Sequence, residues 1–102
     1  MKIQIEKFGT MPSGKQVDLI HMLHGNTDGI KVTSYGAKLV SLIIPDKNNQ
    51  PLDIVLGYKS LADYLNGNRF FGSNPGPFAN RIGNARFSID GTEYQFTPNV
   101  GA

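Results

Sequence analysis

Short runs of alternating polar and apolar residues, separated by turn-forming residues, constrain this chain more than any other feature. In the first run, Ile3 and Ile5 share one face while Lys2, Gln4 and Glu6 share the other, which predicts a half-buried strand. Residues 16–23, 30–34, 53–57, 85–89 and 92–96 are predicted strands by related patterns. Residues 38–44 are apolar on both parities, which predicts a strand covered on both faces. We therefore expect a mostly β, antiparallel and meandering fold.

Two local signals add detail to this prediction. Asp90-Gly91 favours a two-residue hairpin turn, because both central positions need positive φ. It would bring aromatic and apolar residues of its two strands into cross-strand pairs, namely Phe87, Ile89, Tyr94 and Phe96. Ser60, with Asp63 three residues later, resembles a capping box and predicts one short helix near 60–65.

Composition excludes several classes of function. The 102 residues fit one domain, and ten basic against eight acidic residues give a net charge of +2 without any basic run, so no nucleic-acid or membrane partner is predicted. The absence of cysteine excludes disulfides and Cys-ligated metals. Residues 1–8 offer no apolar stretch of signal-peptide length, and the simplest interpretation is a cytoplasmic protein.

Most polar residues have an ordinary structural explanation. His21 and His24 are three positions apart, on opposite faces of a strand and its loop, and no carboxylate completes a ligand set, so no metal site is predicted. Asp46 and Asp53 are expected to be solvated or capping carboxylates. The stretch Gly72 to Gly76 lacks the ending of a phosphate-binding loop, and its prolines remove backbone donors.

The aromatic residues and the Asn80-Arg81 pair can each be interpreted either structurally or as part of a binding site. The aromatic residues Tyr64, Phe70, Phe71 and Phe78 form either a core cluster or a platform for a sugar ring. Asn80 and Arg81 bring amide and guanidinium groups suited to sugar oxygens. The alternative is that Arg81 pairs with Asp63 or Asp90 while Asn80 closes a local turn.

Several motifs occur in one register along the chain, and together they carry a family resemblance. They are Phe8-Gly9 with Ser13-Gly14-Lys15, Ile30 to Ala37, Ile44 to Lys47, Asp53 to Tyr58, Ser60 to Tyr64, Phe71-Gly72, Gly76 to Phe87, and Asp90 to Tyr94. The chain resembles the N-terminal part of the aldose 1-epimerases, also called galactose mutarotases. The resemblance covers essentially the whole chain, so that 1–102 is expected to be the N-terminal part of a single domain.

This resemblance implies an antiparallel β-sandwich that interconverts the α and β anomers of galactose or glucose. In the family, a glutamate takes the C1 hydroxyl proton and a histidine protonates the ring oxygen, and no cofactor is required. Asn80 and Arg81 match the family's Asn-Arg pair, which binds sugar oxygens. Pro77 stands where many members have arginine, so the contact of that arginine is not expected here.

The catalytic residues of the family have no match in this chain. His21 and His24 match no family histidine, and Glu6 and Glu93 do not match the family base. Residues 1–102 alone are therefore expected to hold part of a substrate site, to be inactive, and to self-associate or pair with a missing portion. Two alternatives stay open: a non-catalytic carbohydrate-binding module, and a hexose-6-phosphate 1-epimerase relative in which Arg69 and Arg86 contact phosphate.

Overall fold

A computed structural model describes residues 1–25, 28–67, 69–77 and 79–99. Within these ranges, five antiparallel strands form a meander in the order β1 (Lys2–Thr10), β2 (Gln16–His24), β3 (Asp28–Thr33), β4 (Leu39–Pro45) and β5 (Pro51–Asp53). The helix α1 (Leu61–Asn66) follows. A 3-10 turn (Gly83–Ala85) then leads into a separate hairpin of β6 (Arg86–Ile89) and β7 (Thr92–Gln95). The predicted antiparallel β class is confirmed.

The helix begins where the capping pattern predicts. The Ser60 hydroxyl oxygen accepts a hydrogen bond from the Asp63 backbone N–H and donates one to the Asp63 carboxylate. These contacts satisfy one of the free N–H groups of the first turn. The helix can approach the sheet closely because Gly9 has no side chain: a Cβ there would lie 2.8 Å from Leu61.

The core lies between α1 and one face of the sheet. Its buried apolar side chains come from β2, β4 and α1: Val17, Leu19, Val40, Leu61 and Tyr64. Phe8, Tyr35 and Tyr58 pack around them. Tyr64 meets Tyr58 edge-on at 5.0 Å between ring centroids and Phe8 at 6.0 Å. This arrangement confirms the core interpretation for Tyr64, which is 6% exposed.

The opposite face of the five-stranded sheet is apolar, and its residues are half-buried or exposed among the described residues. Strand register places Ile3 beside Met22, Ile30 and Leu42 on this face, and it places Ile5 beside Ile20. We define the open face by its ten apolar residues: Ile3, Ile5, Ile20, Met22, Ile30, Val32, Leu39, Leu42, Ile44 and Leu52. Ile3 and Ile5 are 62% and 67% exposed. The prediction that the first strand is half-buried is therefore wrong for this structure.

The molecule is extended for its length. Its radius of gyration is 17.9 Å, whereas a compact domain of 100 residues has about 13 Å. The hairpin of β6 and β7 forms its own two-stranded sheet, apart from the five-stranded sheet. The sheet core and the hairpin are therefore two separately hydrogen-bonded parts of the fold.

Two further predictions need correction. The fifth strand covers Pro51–Asp53 instead of 53–57, because Ile43 pairs with Asp53 and Ile44 with Leu52. The fourth strand is buried on both parities only at Val40 and Ser41, and Ile44 near its end is exposed. Some residues named in the predictions lie outside the described residues. They are Asn68, Phe78, and residues 26–27 and 100–102.

Candidate functional site

Asn80 and Arg81 lie on one wall of an open cleft of ≈ 440 Å³. They follow the irregular segment after α1, where Pro75 and Pro77 exclude regular helix or central strand. Ile82 and Ala85 continue this wall, and residues 96–99 beyond β7 form the other. Both residues of the Asn-Arg pair are exposed, which leaves their polar groups accessible from the cleft.

The backbone at Asn80 adopts a left-handed conformation, with φ of 70°. Asparagine tolerates this region better than most residues, because its short polar side chain bonds locally. The amide at position 80 therefore fits a bend as well as a ligand site. The predicted local-turn interpretation of Asn80 is compatible with its position in the cleft.

Arg81 does not pair with either carboxylate considered from the sequence. Among the residues that the structure describes, the ion pairs join His21 to Glu6 and Arg86 to Glu93, at 3.0 and 3.7 Å. Asp63 is instead engaged by Ser60 at the helix start. The guanidinium of Arg81 thus keeps its donors available at the cleft wall.

Hydrogen bonds between neighbouring segments hold the two walls together. The Phe96 backbone N–H donates to the Ala85 carbonyl at 2.7 Å, and the Ala85 N–H donates to the Ile82 carbonyl at 3.1 Å. The Gln95 side-chain amide donates to the carbonyls of Ala85 and Phe96, at 3.1 and 3.0 Å. One glutamine therefore ties the segment after β7 to the turn that follows the Asn-Arg pair.

Aromatic rings stabilise the hairpin below this cleft. Phe87 stacks on its cross-strand partner Tyr94 at 5.3 Å, and the Phe96 ring lies against the same Phe87 ring at 5.3 Å. The pairing of Phe87 with Tyr94 is confirmed, whereas Ile89 pairs with Thr92. Phe96 also lines the cleft. It is the aromatic residue beside Asn80 and Arg81 that the sequence interpretation assigned only to the hairpin.

The aromatic residues proposed as alternative platforms lie elsewhere. Phe71 packs on Tyr58 at 5.1 Å, next to the core, and Phe70 is exposed without lining the cleft. Arg86, one of the two candidate phosphate contacts, faces Glu93 across the hairpin. These positions give no support to a phosphate subsite at the cleft.

A second open cleft of ≈ 590 Å³ lies along the core side of the sheet. Ser41 and Asp53 line it, and the Ser41 hydroxyl donates to the Asp53 carboxylate at 2.6 Å.

The pKa of the Asp53 carboxyl group is lower than its usual value. Burial alone would raise this pKa, but hydrogen bonds from Ser41 and from backbone N–H groups, together with the positive charge of Lys31, outweigh the effect of burial. Because the folded-state pKa is depressed, this carboxylate stabilises the fold above the unfolded-state pKa of about 3.9. That stabilisation fades as the pH falls further.

His21 occupies the same face of the sheet and is bonded to Glu6 across strands β1 and β2. His24 is exposed at the end of β2. Within the described ranges, no group of three or more His, Cys, Asp or Glu side chains is placed to hold a metal ion. No helix in those ranges is both long and apolar enough to cross a membrane.

Comparison with known proteins identifies the class to which this fold and cleft belong. The sequence model of the aldose 1-epimerase family matches residues 18–102. The chain therefore belongs to the aldose 1-epimerase family.

Individual relatives agree with this assignment. The chain is 33% identical to a galactose mutarotase of Sus scrofa over 94 residues, which cover 92% of the chain and 28% of that protein. It is 29% identical to an aldose 1-epimerase of Escherichia coli over 90 residues, covering 88% of the chain and 26% of that protein. The chain thus spans about a quarter of the length of these relatives.

A solved structure shares the fold. The galactose 1-epimerase of Lactobacillus acidophilus superimposes with a TM-score of 0.71 and 21% identity, covering 92% of this chain and 26% of the other. The predicted galactose mutarotase-like fold class, with one short helix near 60–65, is therefore confirmed.

Proposed function

We propose that residues 1–102 supply the N-terminal part of the hexose-binding site of an aldose 1-epimerase. Asn80 and Arg81 bind hydroxyl and ring oxygens of galactose or glucose, and the ring opens by acid–base catalysis and recloses as the other anomer. The observation that carries the proposal is the open cleft in which the Arg81 guanidinium, in no ion pair with the described residues, stands beside the Asn80 amide. Family membership supports the choice of a hexose as the ligand.

The chemistry of the two side chains fits a sugar better than an anion alone. The guanidinium offers donors in a planar fork, which orients a pair of oxygens, and the amide both donates and accepts. A sugar hydroxyl also donates and accepts, so the pair can bind two neighbouring hydroxyls with complementary polarity. Binding of this kind positions the ring and leaves proton transfer to other groups.

The proton-transfer groups are proposed to lie outside these residues. His21 and Glu6 form a pair with each other on the sheet, and neither lines the Asn80–Arg81 cleft. Glu93 faces Arg86 on the hairpin. The residues 1–102 are accordingly proposed to be one part of a single sandwich domain, in a cytoplasmic enzyme that uses no cofactor.

Polarimetry tests this function directly. The product of the complete coding sequence that contains these residues is expected to accelerate the rotation change of freshly dissolved α-D-galactose. A polypeptide of residues 1–102 is expected to leave the buffer rate unchanged, because a general acid and base typically contribute about 10²- to 10⁴-fold each. An inactive complete product contradicts the epimerase proposal. An active 1–102 polypeptide contradicts the placement of the catalytic pair.

The open face supports a second proposal, which concerns assembly. Of the ten apolar residues of the open face, four are exposed and six are half-buried in the described structure, and exposed apolar faces and free sheet edges favour association. We propose that a polypeptide of residues 1–102 produced alone covers this face with a second copy of itself.

Sedimentation velocity is expected to show dimers or larger species of the 1–102 polypeptide. Ile5→Lys places a charge on the open face and is expected to shift the population toward monomer. Leu56→Lys is the matched control, because Leu56 is also strongly exposed but follows β5 outside the sheet. A stable monomer at micromolar concentration, or equal effects of the two substitutions, contradicts self-association through this face.

A further inference from the structure

Phe96 is placed to act on the same ligand as the Asn-Arg pair. Its ring lines the cleft with Asn80 and Arg81, and 46% of the residue is exposed. Other aromatic residues of the described structure instead pack in or against the core, namely Phe8, Tyr35, Tyr58 and Tyr64. Phe96 thus combines an exposed ring face with a position beside the amide and the guanidinium of the cleft, which Tyr94, 47% exposed on the same hairpin, does not share.

The position of Phe96 is fixed before any ligand arrives. Its backbone N–H donates to Ala85 and its carbonyl accepts from the Gln95 side chain, at 2.7 and 3.0 Å. Its ring rests on Phe87, with ring centroids 5.3 Å apart and planes 32° apart. Little conformational freedom is therefore lost when a ligand packs on the exposed side of this ring.

A pyranose ring has two kinds of surface, and the cleft offers a partner for each. Hydroxyl groups form a polar rim that the amide and guanidinium can bind. The C–H groups of one ring face form an apolar, slightly positive patch, which suits the negative face of an aromatic ring. Pockets of this type combine an apolar surface with a few convergent polar groups.

We propose that Phe96 is the platform on which the apolar C–H face of the hexose packs, opposite the hydroxyls bound by Asn80 and Arg81. The inference rests on the proposed function, since it takes a hexose as the ligand. A platform under the carbons remote from C1 holds the sugar without fixing the orientation of the C1 hydroxyl. Such a contact serves both anomers, as an enzyme that interconverts them requires.

Methyl β-D-galactopyranoside is the probe, because it cannot open its ring and so reports binding without reaction. Affinity is measured by titration with the product of the complete coding sequence. Saturation-transfer NMR on the same samples identifies which sugar protons contact the protein. Phe96→Leu is expected to weaken binding by about three- to tenfold and to reduce transfer to the ring C–H protons. Phe96→Tyr keeps the ring face and is expected to bind like the unchanged protein.

Tyr94→Leu is the matched control. Tyr94 lies two residues away, is 47% exposed, and stacks on the same Phe87 ring at the same 5.3 Å, but does not line the cleft. Equal losses in Tyr94→Leu and Phe96→Leu attribute the effect to the hairpin and overturn the platform. Unchanged affinity in Phe96→Leu overturns the platform alone. If the unchanged protein binds no galactoside, the proposed function and the platform both fail.

Discussion

Replacing Arg81 by lysine is expected to weaken hexose binding by about ten- to a hundredfold. Lysine keeps the positive charge but loses the planar fork that engages two oxygens at once. Hydrogen bonds to charged groups contribute about 1.5–3 kcal/mol each, and each 1.4 kcal/mol changes affinity tenfold. Titration of the complete protein with methyl β-D-galactopyranoside measures the loss.

Arg86→Lys provides the comparison for this result. Arg86 is also an exposed arginine near the cleft, but its guanidinium faces Glu93 at 3.7 Å on the hairpin. An exposed pair of this kind contributes little to stability, so its loss is expected to change neither folding nor affinity. If both substitutions weaken binding equally, the loss does not come from a contact that is specific to Arg81, and the proposed contact of Arg81 with the sugar is wrong.

Gly72→Ala is expected to lower the free energy of unfolding by about 2–4 kcal/mol. Gly72 has φ of 65°, a conformation that alanine adopts only with strain, and a Cβ there would collide with the Leu39 carbonyl. The Gly72 carbonyl also accepts a hydrogen bond from the Leu39 N–H at 2.9 Å, which joins the loop after α1 to β4. The backbone must move to admit a methyl group, and that movement disturbs the bond.

Gly14→Ala separates the two contributions. Gly14 has φ of 91°, but a methyl group at this position would have no described atom within 4 Å, so only backbone strain is expected, about 1 kcal/mol. Urea denaturation of both variants gives the difference in unfolding free energy. If Gly72→Ala lowers the free energy of unfolding no more than Gly14→Ala does, the close approach of Gly72 to Leu39 does not contribute to stability.

Local patterns in the sequence predicted the regular elements well. Asp90-Gly91 specified the hairpin, because few residues other than glycine tolerate the required turn, and Ser60 with Asp63 specified the helix start. Both signals act between residues close in the chain. Their structural consequences therefore do not depend on what surrounds them.

Contacts between distant segments explain the errors. The apolar run after Asp53 looked like a strand, but the Ser41 hydroxyl and the Leu42 N–H bind the Asp53 carboxylate, and strand pairing ends at Asp53. Alternation showed that Ile3 and Ile5 share a face and left open what covers that face. The covering layer depends on the rest of the fold, which no short pattern encodes.

The candidate site was predicted in part. Asn80 and Arg81 stood out because polar groups between apolar neighbours are unusual, and the family motif supported them. Phe96 did not stand out, because an aromatic residue in an alternating strand has the same pattern whether it faces a core or a cleft. Its position beside the Asn-Arg pair depends on the Gln95 amide and the Ala85 carbonyl, and neither contact has a sequence signature.

The Gln95 bridge has a consequence for how such a site can change over evolutionary time. The two walls of the cleft come from residues 80–85 and 96–99, and the Gln95 bridge joins them, so the cleft is formed within one short stretch of chain. Short loops close at low entropic cost, and the hairpin has its own hydrogen bonds, separate from the sheet. Substitutions in the cleft walls are therefore expected to leave the packing of the sheet core unchanged. Under the proposed function, the sugar preference of this cleft can therefore change through substitutions in its walls while the sequence of the sheet stays the same.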